Sequence, residues 1–455
     1  MTITSSFSKL CVKLFPCISF FIASFIIFNI FSITTNSFAS PSQNDGKGFN
    51  IITTADVGCS LRAQENIKDI EKLKPELFLV AGDLSYEKTP DCWFDLTKAL
   101  DSKTKIAIGN HEDIEDEGSK GEKLKKLYMD HYGLNKSYYS FDYRNVHVLV
   151  LDTQLELSVD TLESTAIINE TTTITTDKTK NDLEDNTKDK KDKNDLRNKK
   201  EKEPLLERFP LVDLEHFLKQ NSIDIEIPPL ENLIESNAKV PSIDIDKEQY
   251  QFVLDDLEKT SKNKNIDWVF VMFHKPMYSS LSKQFEEYII RDKYHSVFDK
   301  YGVDLVIQGH NHIYSRTLPL SFNKVDISQP IINQSSSASN NNIFTNPQGP
   351  VFLVVGVGGE ELHRITDESY YIANQYNQGF GFVDLKIDGK RLDGKFYDIN
   401  LNCKVEKKKG KEMLDTESCL PQLPSPSTLG IDKLKVIDQF SIIKENSKNN
   451  NTKEE

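Results

Sequence analysis

Between residues 49 and 153, short apolar runs alternate with segments in which apolar residues recur every three or four positions. The first pattern predicts buried strands, and the second predicts amphipathic helices. The predicted strands are Asn50–Thr54, Leu77–Val80, Lys105–Ile108, Phe141–Tyr143 and Val146–Asp152. The predicted helices cover residues 67–73, 93–100 and 122–131. This alternation is typical of an α/β fold whose strands are buried on both faces.

The same alternation resumes near residue 247 and continues to residue 399. Helices are predicted over residues 247–257 and 285–301, and strands over Trp268–Phe273 and Asp304–Ile307. Residues 323–348 are rich in Ser and Asn and predict a loop. Three later apolar runs are expected to be strands that close a second sheet: Val351–Val357, Phe380–Ile387 and Arg391–Ile399.

Between these two parts, residues 155–245 lack the α/β pattern and are predicted to be an insertion in one core domain of residues 48–443. Residues 171–203 carry many charges of both signs and almost no apolar side chains. Such a segment buries too little surface to offset the entropy cost of ordering, so we expect it to be disordered. The polar tail of residues 444–455 is expected to be disordered as well.

The N-terminus carries the one long apolar run of the chain. Lys9 and Lys13 precede residues 14–33, which contain no charge, and Ser37-Phe38-Ala39 follows with the small residues that signal peptidase prefers. Residues 1–39 are therefore predicted to be a signal peptide or an N-terminal anchor. Either one predicts a chain that is secreted or held at the cell surface by one N-terminal span.

The cysteines fit an exported chain. Beyond the predicted leader the chain has Cys59, Cys92, Cys403 and Cys419, which allow up to two disulfides in three connectivities. Cys403 with Cys419 is the local pairing, which leaves Cys59 with Cys92. Unpaired cysteines remain the alternative.

The charge balance limits the classes of partner. The chain has 56 Lys and Arg against 70 Asp and Glu, a net charge of −14. A general nucleic-acid binder is not expected from this balance. Contact with a membrane is expected only through the possible N-terminal anchor.

Polar side chains follow five of the predicted strands, where the carboxyl ends of strands collect ligands. They include carboxylates, an amide, a phenol and imidazoles, and they are Asp56, Asp83, Tyr86, Asn110, His111, His274, His310 and His312. Mixed oxygen and nitrogen donors suit divalent or trivalent first-row metals. The set is too large for one tetrahedral ion but suits two ions that share a bridging carboxylate.

The order of these residues resembles a known family. Asp56-x-Gly58, Gly82-Asp83-x-x-Tyr86, Gly109-Asn110-His111-Glu112, His274 and Gly309-His310-x-His312 resemble the motifs of the calcineurin-like metallophosphoesterases. The general superfamily has a histidine where this chain has Gly58. A tyrosine in the place of Tyr86 is typical of purple acid phosphatases, here of the short, tartrate-resistant type without an N-terminal β-sandwich domain. The resemblance implies a four-layer α/β/β/α sandwich with two mixed sheets flanked by helices.

The resemblance also implies ligand roles. A ferric ion would be held by Asp56, Asp83, Tyr86 and His312. A divalent ion (Fe, Zn or Mn) would be held by Asp83, Asn110, His274 and His310, with Asp83 bridging. His111 would be a catalytic residue that faces the phosphate. A metal-activated hydroxide would then attack phosphorus.

The expected function is therefore hydrolysis of phosphoric monoesters, carried by phosphorylated small molecules or phosphoproteins. A phosphodiesterase or nucleotidase using the same site is the first alternative, and a non-catalytic surface binding protein that keeps the fold is the second. Plant-type members carry a substrate-binding histidine pair in a stretch that is Ser280–Gln284 here. Lys283 is one source of positive charge in that stretch.

The other residues singled out are assigned supporting or structural roles. Glu112 and Asp113 are hypothesised to orient His111. Gly356–Gly359 is interpreted as a turn near the active site. The histidines outside the motifs are predicted to be surface or packing residues: His131, His147, His216, His295 and His363.

Overall fold

The computed structural model describes residues 48–113, 119–154, 247–279, 285–332, 342–366, 369–399, 401–408, 411–420 and 434–445. The side chains of residues 119–122, 285, 286, 288, 402–408 and 411–420 are not described. The predicted leader, the predicted insertion and residues 446–455 lie outside the described residues. In the part of the chain that is described, no helix is both long enough and apolar enough to cross a membrane.

The first sheet joins residues from both ends of the core domain. Its strands, in spatial order, are β11 (Ile343–Thr345), β18 (Lys435–Ile443), β15 (Arg391–Asp398), β14 (Gly381–Asp388), β1 (Phe49–Thr54), β2 (Leu77–Val80) and β3 (Thr104–Ile106). β1, β2 and β3 are parallel, and β14 is antiparallel to β1. Thr54 pairs with Val80 and Val80 with Ile106, so the three parallel strands end at the same edge.

The second sheet is also mixed. Its strands, in spatial order, are β13 (Ile372–Tyr376), β8 (Tyr314–Thr317), β12 (Val351–Val355), β7 (Leu305–Gln308), β6 (Trp268–Met272), β5 (Val146–Val150) and β4 (Tyr139–Tyr143). β5, β6, β7 and β12 are parallel to one another, whereas β4 and β8 are antiparallel to their neighbours. The carboxyl ends of the central strands therefore lie together at one edge.

Helices cover the outer faces of the two sheets. Their bounds are α1 (Leu61–Leu73), α2 (Asp91–Thr97), α3 (Ser119–His131), α4 (Lys247–Ser261) and α5 (Phe285–Tyr301). Smaller elements are a 3₁₀ turn (Asp101–Lys103), the pair β9 (Leu320–Ser321) and β10 (Ile331–Ile332), and the hairpin β16 (Asn402–Lys408) and β17 (Lys411–Leu420).

Alternation along the strands builds four layers. Ile51 and Phe270 both belong to the core between the two sheets. The next residue of β1, Ile52, packs with Ile67 of α1 on the outer face of the first sheet. Leu149 packs with Val253 of α4 on the outer face of the second sheet. This arrangement confirms the predicted α/β sandwich of two mixed sheets flanked by helices.

Two expectations about the strands are wrong. The runs now seen as β14 and β15 belong to the first sheet, beside β1, whereas we expected them to close the second. Both sheets offer buried, apolar surroundings, so an apolar run does not specify which sheet it joins. The predicted loop of residues 323–348 contains β10 and β11, and the polar residues of β8 and β13 concealed two further strands.

One predicted disulfide is confirmed. Cys59, just after β1, is bonded to Cys92 in α2, and the two are 33 positions apart in the sequence. Cys403 and Cys419 lie on the β16–β17 hairpin, but their side chains are outside the described residues. The pairing that would join them stays a prediction.

The first residue of the predicted tail is anchored to the core. The Lys444 ammonium donates to Asp304 Oδ2 at 2.7 Å and to the carbonyl oxygen of Asp267 at 2.6 Å. Because Asp304 is buried, this ion pair holds the end of β18 against the second sheet.

A buried histidine joins α4 to the β4–β5 hairpin. His147 Nδ1 lies 2.7 Å from Asp142 Oδ1, and its Nε2 lies 2.8 Å from Asp256 Oδ2 of α4. Both nitrogens can donate to carboxylates only in the imidazolium form. Burial lowers the pKa of His147, but Asp256 and Asp142 outweigh burial and hold the pKa above 6.5.

This arrangement makes stability depend on pH. A raised pKa in the folded state stabilises the fold fully below the unfolded value of about 6.5, and the contribution is lost as pH rises through the folded pKa. We expect the free energy of unfolding, measured by urea titration, to fall over that window. His147→Gln should make this decrease in the free energy of unfolding shallower. His131→Gln should leave the decrease unchanged, because His131 pairs with Asp101 at the surface. An unchanged slope in His147→Gln would contradict the assignment.

Candidate metal centre

The residues singled out from the motifs converge at the carboxyl ends of β1, β2, β3, β6 and β7. Asp56 follows β1 and Asp83 follows β2, and both side chains are almost completely buried. Asn110 follows β3, His274 follows β6, and His310 begins the turn after β7. Because the two sheets face each other, their strand ends bring these side chains to a single place.

The backbone is strained where it turns into this place. Asp56, Asp83, Tyr86 and His310 have left-handed backbone, with φ of 55°, 53°, 58° and 66°. This conformation costs residues other than glycine about 1–2 kcal/mol each. Strain of this kind persists where the surrounding structure fixes it, and it is concentrated at functional sites. The fold therefore holds these side chains in place before any ligand binds.

Two motif glycines allow the strand ends to approach each other. A Cβ atom on Gly109 would lie 2.1 Å from Asp83 Oδ1, and one on Gly309 would lie 2.8 Å from Asp56 Oδ2. Both distances are shorter than any real contact of a Cβ atom. The two aspartates therefore occupy the space that a side chain at either glycine would require.

The donor atoms form two groups. In the first group, Tyr86 Oη lies 3.0 Å from Asp56 Oδ1, 3.1 Å from Asp83 Oδ2 and 2.9 Å from His312 Nε2. His312 Nε2 is also 3.3 Å from Asp56 Oδ1. These atoms surround one small volume at the ends of β1, β2 and β7.

The second group shares an atom with the first. His274 Nε2 lies 3.2 Å from Asp83 Oδ2, the oxygen that also contacts Tyr86. The same nitrogen is 3.0 Å from Asn110 Oδ1, which in turn is 2.9 Å from His310 Nδ1. Asp83 Oδ2 therefore lies between the two groups. Donor atoms of Asp56, Asp83 and His274 all lie within 4.8 Å of one another.

Backbone carbonyls orient two of the imidazoles. His274 Nδ1 is 2.8 Å from the carbonyl oxygen of Ala81, and His312 Nδ1 is 2.6 Å from that of Glu361. A nitrogen that donates to a carbonyl carries a proton, so in the neutral form of each ring the lone pair lies on Nε2. The neutral rings would therefore offer Nε2 to a cation in the centre.

The charges of the site are strongly coupled. Burial raises the pKa of Asp83, but His274 outweighs burial and holds it well below its usual range. Burial lowers the pKa of His274, but Asp83 raises it to about 9. Burial and the two aspartates hold the pKa of Tyr86 above its ordinary value. A phenol in such surroundings releases its proton only when a cation supplies positive charge, so the donor set fits a metal ion.

His111 lies at the open side of the centre. Its ring packs on Tyr86 with centroids 4.1 Å apart, and its side chain is 40% exposed. Its backbone N–H donates to Asp83 Oδ1 at 2.9 Å, which anchors the residue beside the donor groups. His111 Nε2 is 3.9 Å from Asp83 Oδ2, and it can reach a molecule bound at the open side.

Glu112 and Asp113 do not orient His111, and that hypothesis is wrong. The Glu112 carboxylate accepts from the backbone N–H groups of Asp83, Leu84 and Gly109 at 2.8–2.9 Å. Burial and the charge of Asp83 raise the pKa of Glu112 to about 7. Asp113 instead accepts from Lys125. Buried amides without a partner are costly, so they attract Glu112 more strongly than an exposed ring does.

Glu360, which sequence analysis missed, adds a carboxylate beside the first donor group. Its Oε1 would lie 2.0 Å from a Cβ atom on Gly58, so it fills the space in which a side chain at that position would start. Burial raises the pKa of Glu360 above its ordinary value, although the charges of Arg62 and His312 act in the opposite direction. Gly58 also has left-handed backbone, with φ of 68°, which glycine adopts without strain.

His363 also lies beside the centre, although sequence analysis gave it no functional role. Its ring stacks on that of His312, with centroids 4.1 Å apart and planes 5° apart. Partial burial of the ring and the charge of His312 lower its pKa to about 4. One signal pointed here: Gly356–Gly359 follows β12, a strand parallel to β7, and the turn does lie at the site, where Gly358 N–H donates to the carbonyl oxygen of Ala55.

Comparisons with known proteins agree with the resemblance seen in the motifs. The family model described as "Calcineurin-like phosphoesterase" matches residues 49–227 and 198–314, together more than half of the chain. "Acid phosphatase type 7" of Mus musculus is 33% identical over 129 residues, which are 26% of this chain and 27% of that protein. "Fe(3+)-Zn(2+) purple acid phosphatase 12" of Arabidopsis thaliana is 27% identical over 148 residues, 30% of this chain and 29% of that protein. Each match spans less than a third of the relative's length.

A solved structure shares the fold. The purple acid phosphatase PPD1 from yellow lupin seeds superposes with a TM-score of 0.52 at 16% sequence identity. The superposition covers 90% of this chain and 56% of the lupin chain. At this level of identity the likeness concerns the fold alone.

Proposed function

Because the chain belongs to the calcineurin-like phosphoesterase family, we propose that it is an exported, metal-dependent phosphatase that hydrolyses phosphoric monoesters. One observation carries the proposal. Asp83 Oδ2 contacts Tyr86 in one donor group and His274 in the other, at 3.1 and 3.2 Å. A shared carboxylate oxygen between two donor groups is the arrangement that two neighbouring ions require.

The two donor groups define the proposed ligands. A ferric ion would be held by Asp56, Asp83, Tyr86 and His312, and a divalent ion (Fe, Zn or Mn) by Asp83, Asn110, His274 and His310. The phenolate and carboxylates of the first group are hard anionic donors, which favour the ion of higher charge. When bound, two such ions supply positive charge for phosphoryl oxygens and lower the pKa of water enough to make hydroxide at mildly acidic pH.

The chain's own residues arrange the substrate. His111 can donate a hydrogen bond to a phosphoryl oxygen because its ring is exposed and its backbone is anchored on Asp83. Glu112 holds the turns that carry Asp83 and Gly109, so that the donor groups need not rearrange when substrate binds. The strained backbone at Asp56 and Asp83 serves the same end.

The proposal also includes export of the protein from the cytoplasm. The Cys59–Cys92 disulfide supports it, because disulfides form and persist mainly in oxidising compartments. The lysines and the apolar run before residue 39 support it independently. Phosphorylated small molecules or phosphoproteins outside the cytoplasm would be the substrates.

The test is hydrolysis of p-nitrophenyl phosphate by the secreted, metal-loaded protein across pH 4 to 8. We expect metal-dependent turnover that is lost on chelation. The matched diester, bis-p-nitrophenyl phosphate, should be hydrolysed more slowly. Faster hydrolysis of the diester would favour a phosphodiesterase, and turnover of neither ester by metal-loaded protein would contradict the proposal.

The iron assignment has its own spectroscopic test. A ferric ion bound by the Tyr86 phenolate should give a visible absorption band that disappears in Tyr86→Phe. Tyr143→Phe is a matched control, because Tyr143 Oη contacts Glu76 on the surface rather than the centre. A wild-type protein that binds iron without this band would contradict the role of Tyr86.

A further inference from the structure

His363 is fixed in position by several contacts. Its backbone N–H donates to the carbonyl oxygen of His312 at 2.9 Å, and its own carbonyl oxygen accepts from Asn377 Nδ2 at 3.0 Å. The His312 backbone N–H donates to His363 Nδ1 at 3.1 Å. The first two bonds anchor the backbone of His363, whereas the bond to Nδ1 and the stacking on His312 orient the imidazole.

The hydrogen bond at Nδ1 decides which nitrogen carries the proton. A ring nitrogen that accepts from an N–H group has no proton of its own, so the neutral His363 ring is protonated at Nε2. The side chain belongs to an exposed residue. His363 therefore presents a hydrogen-bond donor, Nε2–H, at the surface beside His312.

The ring also belongs to a continuous row at the open side of the centre. His111 packs on Tyr86, the Tyr86 hydroxyl contacts His312 Nε2, and His312 stacks on His363. The inner two rings belong to the first donor group, and the outer two are exposed imidazoles. An anion bound against the inner rings would have one imidazole on each side.

We propose that His363 contacts the substrate, and that its Nε2–H donates a hydrogen bond to a phosphoryl oxygen. The inference rests on the proposed phosphatase function. It gives the site a second imidazole opposite His111, supplied by the loop after β12 rather than by residues 280–284, which contain no histidine. The class of ligand is a phosphate monoester or inorganic phosphate bound at the metal centre.

Two substitutions separate donation from anchoring. In His363→Asn, the amide oxygen can still accept from the His312 N–H, but the donor at the position of Nε2 is lost. In His363→Gln, the amide nitrogen takes the position of Nε2 and keeps the donor. His131→Asn is the control, because His131 stacks on Phe94 away from the centre.

The experiment measures the affinity of each metal-loaded protein for inorganic phosphate by calorimetry, together with metal content and kcat/KM for p-nitrophenyl phosphate. Loss of one hydrogen bond to a charged group should weaken phosphate binding and lower kcat/KM by about 10- to 100-fold in His363→Asn. His363→Gln should retain most of the phosphate affinity and most of kcat/KM. His131→Asn should match wild type in both quantities.

Two results would overturn the proposal. The first is phosphate binding by His363→Asn at wild-type affinity. The second is loss of metal from His363→Asn, because the residue would then act by positioning His312. Wild-type protein that binds phosphate but hydrolyses no monoester would contradict the phosphatase function alone, and the comparison of the two variants in phosphate binding would still test the contact.

Discussion

Asp83→Asn is expected to reduce phosphatase activity by more than about 100-fold, since even residues that only support metal ligands typically account for 10- to 100-fold. Asp83 Oδ2 contacts both donor groups, at Tyr86 and at His274. An amide in its place is neutral and offers one oxygen instead of two. Both proposed ions would lose a ligand at once.

The fold should survive this substitution. Asparagine has nearly the same size, and the backbone N–H of residue 83 keeps its bond to Glu112. The measurement is kcat/KM for p-nitrophenyl phosphate, with circular dichroism to verify folding. Asp130→Asn is the matched control, because Asp130 is exposed and its ion pair is with Lys126 on the surface of α3. Folded Asp83→Asn that keeps wild-type activity would contradict the assignment of a bridging ligand.

Of the substitutions considered, Asp438→Ala is expected to cause the largest loss of stability, about 3–5 kcal/mol in the free energy of unfolding. Asp438 of β18 accepts from Arg316 Nε at 2.6 Å and from Tyr314 Oη at 2.7 Å, both on β8 in the other sheet. The Arg316 side chain is 0% exposed. Removal of the carboxylate takes from a buried guanidinium the negative charge that Asp438 supplies, which is far more costly than the loss of an exposed pair.

Urea unfolding measures this effect. The double variant Arg316→Met/Asp438→Leu should recover most of the loss, because apolar residues of similar volume often replace a buried pair without penalty. Asp393→Ala on the neighbouring strand β15 is the control: its pair with Arg391 is partly exposed and should contribute at most about 1 kcal/mol. Equal losses in Asp438→Ala and Asp393→Ala would contradict this account.

The sequence was most informative where the required signal is local. The apolar run Leu77–Val80 predicted a strand at its observed bounds, and the other predicted strands begin and end within two residues of the observed ones. The polar residues that follow the runs predicted which side chains meet. The convergence of Asp56, Asp83 and His274 follows from the rule that parallel strands end at one edge. The motif order carried this information without any knowledge of sheet order.

The pairing of strands that are distant in the sequence could not be predicted from local patterns. β14 lies beside β1 although Ile387 and Phe49 are far apart in the sequence, and no local pattern specifies that register. Glu360 and His363 reach the centre only because β12 pairs with β7. Glu112 was assigned the wrong partner because its real partners are backbone N–H groups, which every residue but proline has and which therefore leave no signature in the sequence.

The most direct test of the central claim is the number of metal ions per chain, measured by inductively coupled plasma mass spectrometry on the purified protein. The account predicts about two ions per wild-type chain, because the donor groups share one bridging carboxylate. It predicts fewer than about one in Asp83→Asn, since both ions lose that ligand. A wild-type chain that binds one ion or none, or an Asp83→Asn variant that keeps the wild-type number, would contradict a dinuclear centre bridged by Asp83.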